Sequence, residues 1–536
     1  MRPKPIVLMI LDGWGVGPTK RGNAIAKANM PNMDSYFSYF PSLSLQAAGI
    51  TVGLSWGEVG NSEVGHTTMG TGKVIYQNAP RVSIAIDDKS FFRNPALVGC
   101  TKHVKKNRSK LHFIGLVSPG GVHSMYDHLL ALLEFAKKEK VKKVCIHVIL
   151  DGRDAQRDGG LDYLTDLTKE MKQRKLGKIV SISGRYFGMD RNNNWERTKM
   201  AYVAAADGVG RTAANPIQAV TESYSQNVFD EHFQPTAITN RKGDPLGKIQ
   251  DGDGVIFFNF RADRARQLTK AFTLPGFEKF DRPRYIRDLN FVTLTEYEEN
   301  LPVEVAFPAE KAEEPLAKVL SDRGFRQLHI AETEKYAHVT YFFNGGEENP
   351  YLNEDRILVP SKKVASYSET PAMSAYEVTD RTLQAINLGY YDFILLNYAN
   401  ADMIGHTGNL DATIEGLEVI DGQVSRVVDL VTSLGGVVMI TGDHGNCERM
   451  ESEQGEMEKE HTGNPVPFIM ISNFNGLQEP LNLEMVNESH LAPAGILADV
   501  APTILDLMSV QKPIVMSGES LLSLLMTADQ LAPAIN

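Results

Sequence analysis

The chain has 536 residues, of which 42% are hydrophobic and 23% are charged, a composition typical of a folded globular protein with two or more domains. Its formal net charge of −11 argues against a protein that wraps nucleic acid, because such proteins are usually basic. Three cysteines without CxxC spacing predict no disulfide framework, and no apolar run approaches the ~18 residues that span a bilayer. We therefore expect a cytoplasmic protein that binds neither nucleic acid nor membrane.

Short apolar runs rich in β-branched residues recur along the chain, beginning with IVLMILDG (6–13). FILLNYANAD (393–402) and VVMITGDHG (437–445) follow, each after a helical pattern, at 375–387 and 410–433. This alternation predicts βαβ units and a parallel sheet covered by helices on both faces. All three runs end in an aspartate, Asp12, Asp402 or Asp443, at the strand end where α/β proteins bind ligands.

The middle of the chain has similar runs that end in mostly basic loops. They are LHFIGLVSPGGVH (111–123), KVCIHVILDGRD (143–154), KIVSISGRYFGMDR (178–191) and GVIFFNFRADRAR (254–266). The polar residues of these loops include His123, Arg153, Asp154, Arg185, Arg191, Arg261 and Arg264. We therefore predict two α/β domains, an outer one of residues 1–77 and 310–536 that is interrupted by an inserted one of residues 78–309.

The outer domain carries a set of candidate metal ligands. Three patterns supply imidazoles: Asp-x-x-x-His on a predicted loop, Asp-His within GDHG, and the histidine of HTGNP. Together with Asp12, the candidate ligands are Asp402, His406, Asp443, His444 and His461. Mixed nitrogen and oxygen ligands suit Mn²⁺, Zn²⁺, Co²⁺ or Fe²⁺ better than Mg²⁺ or Ca²⁺, and six ligands indicate two metal ions. Each pattern alone is also compatible with a satisfied polar turn, but their joint occurrence at strand ends favours metal.

The segment GNSEVGH (60–66) offers a nucleophile. Ser62 could begin a helix whose amides face an anion, or it could be an N-cap without a chemical role, and the spacing leaves both open. A coordinated metal would make its hydroxyl an alkoxide near neutral pH. The arginines predict a small anionic substrate, because guanidinium groups bind carboxylate and phosphate in bidentate fashion. Asp154 is then either a structural partner of Arg153 or a general base, and Lys335 either a phosphate contact or a surface lysine.

These features predict phosphoryl transfer between groups held by the two domains, and the motifs resemble one family nearly end to end. That family is the cofactor-independent (2,3-bisphosphoglycerate-independent) phosphoglycerate mutases of the alkaline phosphatase superfamily. The matching segments are LDGWG (11–15), GNSEVGH (60–66), HVILDGRD (147–154), GRYFGMDR (184–191), FFNFRADRARQL (257–268), TEKYAHVTYFFNGG (333–346), NADMIGHTGNLDATIE (400–415), GDHGN (442–446) and HTGNPVPF (461–468). The resemblance implies an alkaline-phosphatase-like metal domain interrupted by a substrate-binding domain.

The resemblance also implies an activity and a site. The activity is the interconversion of 3-phosphoglycerate and 2-phosphoglycerate in glycolysis and gluconeogenesis, through a phosphoserine at Ser62 and without added 2,3-bisphosphoglycerate. The implied cofactors are two divalent ions, with Mn²⁺ favoured and Co²⁺, Zn²⁺ or Mg²⁺ as alternatives. One ion is implied at Asp402, His406 and His461, and the other at Asp12, Ser62, Asp443 and His444. The implied substrate contacts are His123, Arg153, Asp154, Arg185, Arg191, Arg261, Arg264 and Lys335.

Within that set, Ser62, Asp154 and Lys335 are the implied catalytic residues, with Asp154 carrying a proton between the two hydroxyls. The sequence departs from the family pattern at Met125, where a second histidine is usual, at Ala262, and at Cys447 beside the GDHG segment. The family is usually monomeric, so we expect a monomer that acts on a small molecule.

Other functions stay open at this point. A phosphatase or phosphodiesterase of the same superfamily would release phosphate to water. A catalytically silent binding protein would lack Ser62 or part of the ligand set, which this sequence retains. A phosphopentomutase would share the metal half, but its substrate half is not expected to carry these motifs.

Overall fold

The computed structural model describes residues 2–18, 21–310, 312–452 and 454–526. The chain divides into two compact units, Met1–Gln77 with Glu310–Asn536, and Asn78–Ala309. We call the first the outer domain and the second the inserted domain. Each has its own eight-stranded sheet and its own buried hydrophobic clusters. The predicted fold class, two α/β domains, is confirmed, whereas the functions assigned to the two domains stay predictions.

The elements of the described residues are numbered in chain order. The strands are β1 (Ile6–Leu11), β2 (Ser42–Gln46), β3 (Leu111–Leu116), β4 (Val144–Leu150), β5 (Lys178–Gly184), β6 (Arg211–Ala213), β7 (Thr236–Ile238), β8 (Gly254–Phe257), β9 (Asn290–Thr295), β10 (Glu304–Phe307), β11 (Gln327–Glu332), β12 (Glu354–Val359), β13 (Phe393–Tyr398), β14 (Val437–Thr441), β15 (Val466–Ile471) and β16 (Gly495–Ile496).

The α-helices are α1 (Ala24–Lys27), α2 (Pro31–Tyr39), α3 (Ser62–Thr71), α4 (Asn78–Asp87), α5 (Pro95–Asn107), α6 (Tyr126–Lys138), α7 (Gly160–Arg174), α8 (Arg185–Gly188), α9 (Trp195–Ala206), α10 (Pro216–Ser225), α11 (Arg266–Thr273), α12 (Leu316–Asp322), α13 (Thr333–Ala337), α14 (Ala375–Asn387), α15 (Asn400–Gly405), α16 (Leu410–Ser433), α17 (Leu483–Ser489), α18 (Val500–Leu507) and α19 (Leu522–Leu525). Short 3₁₀ turns lie at Gly49–Val52, Ser90–Arg93, Asp230–His232, Tyr367–Glu369 and Leu497–Asp499, and a π-helical turn lies at His338–Phe342. No helix in these described parts of the chain is both long enough and apolar enough to cross a membrane.

The outer sheet has the strand order β12-β11-β13-β1-β14-β15-β2-β16. The first five strands in this order are parallel to one another, namely β12, β11, β13, β1 and β14. Strand β15 is antiparallel to both of its neighbours, β14 and β2. All six residues of β1 are buried, because its side chains alternate between two hydrophobic clusters. Ile6 and Leu8 belong to one cluster, and Val7 and Met9 belong to the other. The continuous apolar run seen in the sequence therefore reflects a strand covered on both faces.

The sheet of the inserted domain has the order β10-β9-β8-β3-β4-β5-β7-β6. Its strands pair in parallel except for β7, which is antiparallel to β5. Strands β8, β3, β4 and β5 are consecutive neighbours, so their carboxyl ends lie along one edge. The four basic loops predicted from the sequence follow these four ends.

Candidate functional site

Three aspartates meet at the carboxyl edge of the outer sheet. Asp12 follows β1 directly, Asp402 lies four residues after β13, and Asp443 lies two residues after β14. These three strands are parallel neighbours, so their ends lie at one edge of the sheet. All three side chains are buried, and buried carboxylates need a cationic or hydrogen-bonding partner.

One cluster of candidate metal ligands consists of Asp402, His406 and His461, whose ligand atoms lie within 4.8 Å of one another. Asp402 Oδ1 is 3.2 Å from Nε2 of each histidine. The Nδ1 atoms of the two rings hydrogen-bond to main-chain carbonyls, those of Lys459 and Gly60, which leaves both Nε2 lone pairs near Asp402. The predicted loop is in fact helix α15 with His406 just after it, and the four-residue spacing puts both side chains on one helix face.

A second cluster consists of Asp12, Asp443 and His444, again with ligand atoms within 4.8 Å of one another. Asp443 Oδ1 accepts hydrogen bonds from the backbone N–H groups of Gly13 at 3.1 Å and of His444 at 3.0 Å. The other oxygen of Asp443, Oδ2, is buried and has no hydrogen-bond partner among the described residues. An unpaired buried carboxylate oxygen is costly, so this ligand set fits a bound cation.

Ser62 lies beside this second cluster. Its Oγ is 2.9 Å from Nε2 of His444 and 3.1 Å from Oδ1 of Asp12. The sequence left open whether Ser62 caps a helix, and the structure assigns that role to Asn61, whose side chain accepts the backbone N–H of Val64 at 3.1 Å. Ser62 is therefore the first residue of α3, and its hydroxyl is available for other contacts.

Lys335 lies between the two clusters. Its Nζ is 2.6 Å from Asp12 Oδ1 and 2.6 Å from Asp402 Oδ2, and it donates to Ser62 Oγ at 2.9 Å. Burial alone would lower the pKa of Lys335, but the neighbouring carboxylates raise it well above its ordinary value. Burial would likewise raise the pKa of Asp12 and Asp402, yet the Lys335 ammonium holds both well below their usual values. One ammonium among three buried carboxylates leaves negative charge that divalent cations would balance.

Several polar residues of this site were not predicted. His66 and Asn397 are fully buried behind the second cluster, and Asn446 donates to Asp402 Oδ1 at 3.0 Å. The sequence could have marked Asn397 as a candidate site residue, because it is a polar residue inside the apolar run FILLNY. His66 ends the GNSEVGH segment already singled out, but nothing in its spacing distinguishes it from a surface histidine.

Cys447, where the sequence departs from the family pattern, is held by a main-chain contact. It is fully buried, and its Sγ donates to the carbonyl oxygen of Gly13 at 3.3 Å. Burial and the neighbouring carboxylates of Glu448 and Asp402 raise the pKa of its thiol well above the ordinary value. A thiol that stays protonated is a poor ligand, so the departure from the family pattern at this position leaves the ligand set unchanged.

The basic loops of the inserted domain converge on Arg185. This side chain is buried, and its guanidinium Nη1 donates to the carboxylates of Asp151 and Asp154. Burial would lower its pKa, but the two carboxylates raise it above the usual value. A cavity of about 210 Å³ adjoins it. The cavity is lined by Arg153, Arg185, Tyr186, Met189, Asp190, Asn192, Arg197, Glu231, His232 and Arg264.

The remaining predicted contacts lie around Asp263. Its carboxylate is 2.9 Å from Nη1 of Arg191, 3.3 Å from Nε of Arg261 and 3.7 Å from Nδ1 of His123. Burial, assisted by the charge of Arg185, lowers the pKa of His123 to about 4, so this imidazole is neutral at pH 7. Three buried atoms here, His123 Nδ1, Arg185 Nε and Asp263 Oδ1, have no hydrogen-bond partner in the described structure, which supports a polar ligand at this position.

The seven predicted residues of the inserted domain thus form one group. Burial and the neighbouring guanidinium groups of Arg185, Arg191 and Arg153 lower the pKa of Arg264, which joins the cavity residues to those around Asp263. Lys335 does not belong to this group, because the structure places it beside Ser62 in the outer domain.

Other lining residues of the cavity were missed by the sequence reasoning. The 3₁₀ turn Asp230–His232 supports the loops, since an added Cβ at Gly152 would lie 2.8 Å from the backbone nitrogen of Glu231, and one at Gly184 would lie 2.3 Å from its oxygen. The Arg197 guanidinium lies 3.7 Å from the centroid of the Tyr186 ring, and the His232 ring lies tilted against the same ring with a centroid distance of 4.7 Å. No sequence motif marked this turn, because its role depends on contacts between distant segments.

Comparison with known proteins agrees with the motifs. A family model described as the BPG-independent PGAM N-terminus matches residues 82–299. A relative from Moorella thermoacetica named 2,3-bisphosphoglycerate-independent phosphoglycerate mutase is 47% identical over 522 residues, covering 97% of this chain and 98% of the relative. A relative of the same name from Clostridium perfringens is 46% identical and covers 98% of this chain and 100% of its own length.

A solved structure gives the same result. Leishmania mexicana phosphoglycerate mutase, crystallised at low cobalt concentration, is 30% identical, with a TM-score of 0.52 and 97% of each chain covered. The resemblance stated from the motifs is confirmed. From its sequence, its fold and these relatives, the chain belongs to the 2,3-bisphosphoglycerate-independent phosphoglycerate mutase family.

Proposed function

We propose that this protein is an isomerase that interconverts 3-phosphoglycerate and 2-phosphoglycerate in glycolysis and gluconeogenesis, with no need for 2,3-bisphosphoglycerate. The observation that carries the proposal is the position of the Ser62 hydroxyl, within 3.1 Å of Asp12, His444 and Lys335. Membership of the family supports the substrate, and the group of arginines in the inserted domain supports a small polyanion.

The outer domain supplies the nucleophile. We propose that two divalent cations, with Mn²⁺ favoured, are held by Asp402, His406 and His461 and by Asp12, Ser62, Asp443 and His444. When bound, they would supply Lewis acidity that lowers the pKa of the Ser62 hydroxyl and would offset the charge of the phosphoryl group. Ser62 loses its proton to solvent before the first transfer and regains the same alkoxide form after the second. Its Oγ attacks phosphorus, the Oγ–P bond forms, and the bond from phosphorus to the glycerate oxygen breaks. Lys335 donates to Ser62 Oγ and stays protonated, so it stabilises the negative charge that develops there.

The inserted domain holds the glycerate. Arg153, Arg185 and Arg264 bind its charged groups, and neutral His123 offers one nitrogen lone pair and one N–H to its hydroxyls. Asp154 carries one proton between the two hydroxyl oxygens: its carboxylate removes the proton from the free hydroxyl and passes it to the oxygen that has lost phosphorus. The second hydroxyl oxygen then attacks the phosphoserine, which restores Ser62. Retention of the glycerate between the two transfers distinguishes a mutase from a phosphatase.

The test is a coupled assay on 3-phosphoglycerate with enolase and without 2,3-bisphosphoglycerate. Phosphoenolpyruvate formation that requires Mn²⁺, is abolished by EDTA and occurs without release of inorganic phosphate is the expected result. Release of phosphate without 2-phosphoglycerate would instead identify a hydrolase.

The nucleophile is tested separately. We expect Ser62→Ala to lower kcat by roughly 10⁴-fold or more while the circular dichroism spectrum stays unchanged, because no other hydroxyl is bonded to both Asp12 and Lys335 among the described residues. Acid-quenched enzyme incubated with substrate should carry phosphate on Ser62 by mass spectrometry. Wild-type turnover by the variant would eliminate the phosphoserine mechanism.

We further propose that the protein works as a cytoplasmic monomer. Light scattering coupled to size-exclusion chromatography tests this, and a mass near the 59.2 kDa of one chain is expected.

A further inference from the structure

Two fully buried side chains behind the second ligand cluster, His66 and Asn397, form a chain of hydrogen bonds that no step of the mechanism uses. His66 lies one turn after Ser62 on α3, and its Nδ1 is 2.9 Å from the Ser62 carbonyl oxygen. Asn397 lies in β13, where its Nδ2 is 3.0 Å from His66 Nε2 and 2.8 Å from Asp12 Oδ2. These hydrogen bonds therefore connect the backbone of Ser62 with the carboxylate of Asp12.

The chemistry of the partners determines the direction of each hydrogen bond. A carbonyl oxygen only accepts, so Nδ1 of His66 carries the proton and donates to Ser62. Nε2 of His66 then accepts one N–H of the Asn397 amide. The second N–H of that amide donates to Asp12 Oδ2. Reversing the amide would set its oxygen against the Asp12 carboxylate, so only one orientation donates to both His66 and Asp12, and it leaves Oδ1 of Asn397 without a hydrogen-bond partner among the described residues.

This arrangement leaves one oxygen of Asp12 for the site. Oδ2 is held by Asn397, whereas Oδ1 contacts Lys335 at 2.6 Å and Ser62 Oγ at 3.1 Å. The imidazole Nδ1 of His66 is also 3.2 Å from Asp443 Oδ2, the carboxylate oxygen without a hydrogen-bond partner. His66 and Asn397 are thus next to three of the four proposed ligands of one cation. In the described structure, neither forms a hydrogen bond or an ion pair with Asp402, His406 or His461.

We propose that His66 and Asn397 are positioning residues that hold Asp12 and Ser62 in the geometry needed to bind the cation at Asp12, Asp443 and His444. The proposal rests on the proposed function, because it concerns the metal site of that activity. Without the amide of Asn397 the Asp12 carboxylate can rotate about its χ2 bond, and its Oδ2 loses a buried partner. Groups that orient metal ligands typically change metal affinity by about 10–100-fold when removed.

The experiment measures Mn²⁺ binding, not turnover. Metal-free protein is titrated with Mn²⁺, and free Mn²⁺ is read by electron paramagnetic resonance. We expect two sites in the wild type, and in Asn397→Leu one site of unchanged affinity and one weakened by about 10–100-fold. The His406→Ala background, which disables the other cluster, should show that the weakened site is the one at Asp12.

Controls separate positioning from general damage. Asn475→Leu removes another fully buried amide of the outer domain, one that donates to Met470 and accepts from Ser472, and it should keep two normal sites. His66→Phe should weaken the same site as Asn397→Leu, and His66→Gln should restore part of the affinity because glutamine has both a donor and an acceptor. If Asn397→Leu does not fold, Asn397→Ser, which cannot reach both partners, carries the test.

The outcomes distinguish this inference from the function on which it rests. Two sites of wild-type affinity in the Asn397 and His66 variants would overturn the positioning role and leave the proposed mutase intact. Equal weakening of both sites, with an unchanged circular dichroism spectrum, would also overturn it, because the proposal requires a selective effect. A wild type that binds no Mn²⁺ would overturn the metal-dependent function and this inference together.

Discussion

At the scale of single residues, Lys335 is the counter-ion of buried carboxylates when no metal is bound. It is buried between Asp12 and Asp402, at 2.6 Å from each, and no other lysine or arginine forms an ion pair with either in the described part of the chain. Removing one partner of a buried ion pair is far more costly than removing a surface charge. Bound divalent cations would share this role, so the contribution of Lys335 to stability should depend on metal.

This dependence can be measured. We expect Lys335→Gln to lower the free energy of unfolding by about 3 kcal/mol in EDTA and by clearly less in saturating Mn²⁺, because cations then balance the carboxylates. Urea denaturation followed by circular dichroism gives both values. Lys73→Gln, at a partly exposed lysine 3.9 Å from Glu310, is the control and should change little in either condition. An equal loss with and without Mn²⁺ would contradict the prediction.

The residues that could be predicted at this scale are those whose position follows from the end of a strand. Asp12 and Asp443 were expected at one edge of a parallel sheet, and they lie there. His66 and Asn397 were not predicted, because their partners are up to 385 residues away in sequence and no spacing encodes those pairs. The functional roles of all these residues stay predictions until the variants are tested.

At the scale of elements, helix α3 packs unusually close to the turn that carries Asp443. A Cβ added to Gly65 would lie 2.5 Å from the Asp443 carbonyl oxygen and 3.0 Å from its Cβ. Real Cβ atoms do not approach a backbone oxygen this closely, so glycine at this position lets the helix that begins with Ser62 approach the ligand turn.

We therefore expect Gly65→Ala to displace α3 from Asp443. The predicted result is a loss of roughly 1–3 kcal/mol in stability from overpacking and weaker Mn²⁺ binding. Thermal unfolding and metal titration measure the two effects. Gly422→Ala, in the middle of α16 with nothing within 4 Å of the added Cβ, should instead stabilise by roughly 0.5–1 kcal/mol through helix propensity. Unchanged metal binding by Gly65→Ala would show that α3 tolerates the shift.

Elements with strong periodicity were predictable, and those defined by tertiary contacts were not. The helical patterns at 375–387 and 410–433 correspond to α14 and α16. The sequence predicts a loop at Asp402 and His406, whereas the structure has helix α15 there, because its six residues are too few to show a hydrophobic period. The antiparallel direction of β15 and β7 could not be derived either, since strand direction depends on which neighbours a strand meets.

At the scale of the whole molecule, several histidines are buried without a charged partner. His128, in the inserted domain, shares a hydrogen bond of 2.9 Å with Ser83 and packs edge-on to Phe260. Burial lowers its pKa to about 4, against about 6.5 in an unfolded chain. The folded state therefore favours the neutral ring, and its stability contribution is complete above pH 6.5 and lost as the pH falls toward 4.

The lowered pKa of His128 predicts that acid decreases the stability of the folded protein. Between pH 7 and pH 5, the free energy of unfolding of the wild type should fall by about 2 kcal/mol because His128 is protonated in the unfolded chain. His128→Gln should not show this part of the decrease. Urea denaturation at both pH values gives the difference, and His103→Gln, at a partly exposed histidine, serves as the control. An equal decrease in the free energy of unfolding of the wild type and His128→Gln would show that His128 does not cause the acid sensitivity.

The place of β1 at the centre of the outer sheet has a consequence for biosynthesis. Both of its neighbours are made late, since β13 ends at Tyr398 and β14 at Thr441, whereas all strands of the inserted domain are complete by Phe307. On a ribosome that adds roughly 5–20 residues per second, β1 waits on the order of half a minute for these partners. During that interval IVLMIL is an unpaired apolar segment of a nascent chain, the kind of segment that chaperones shield. We therefore expect the newly made protein to need protection at its first strand while its inserted domain already folds.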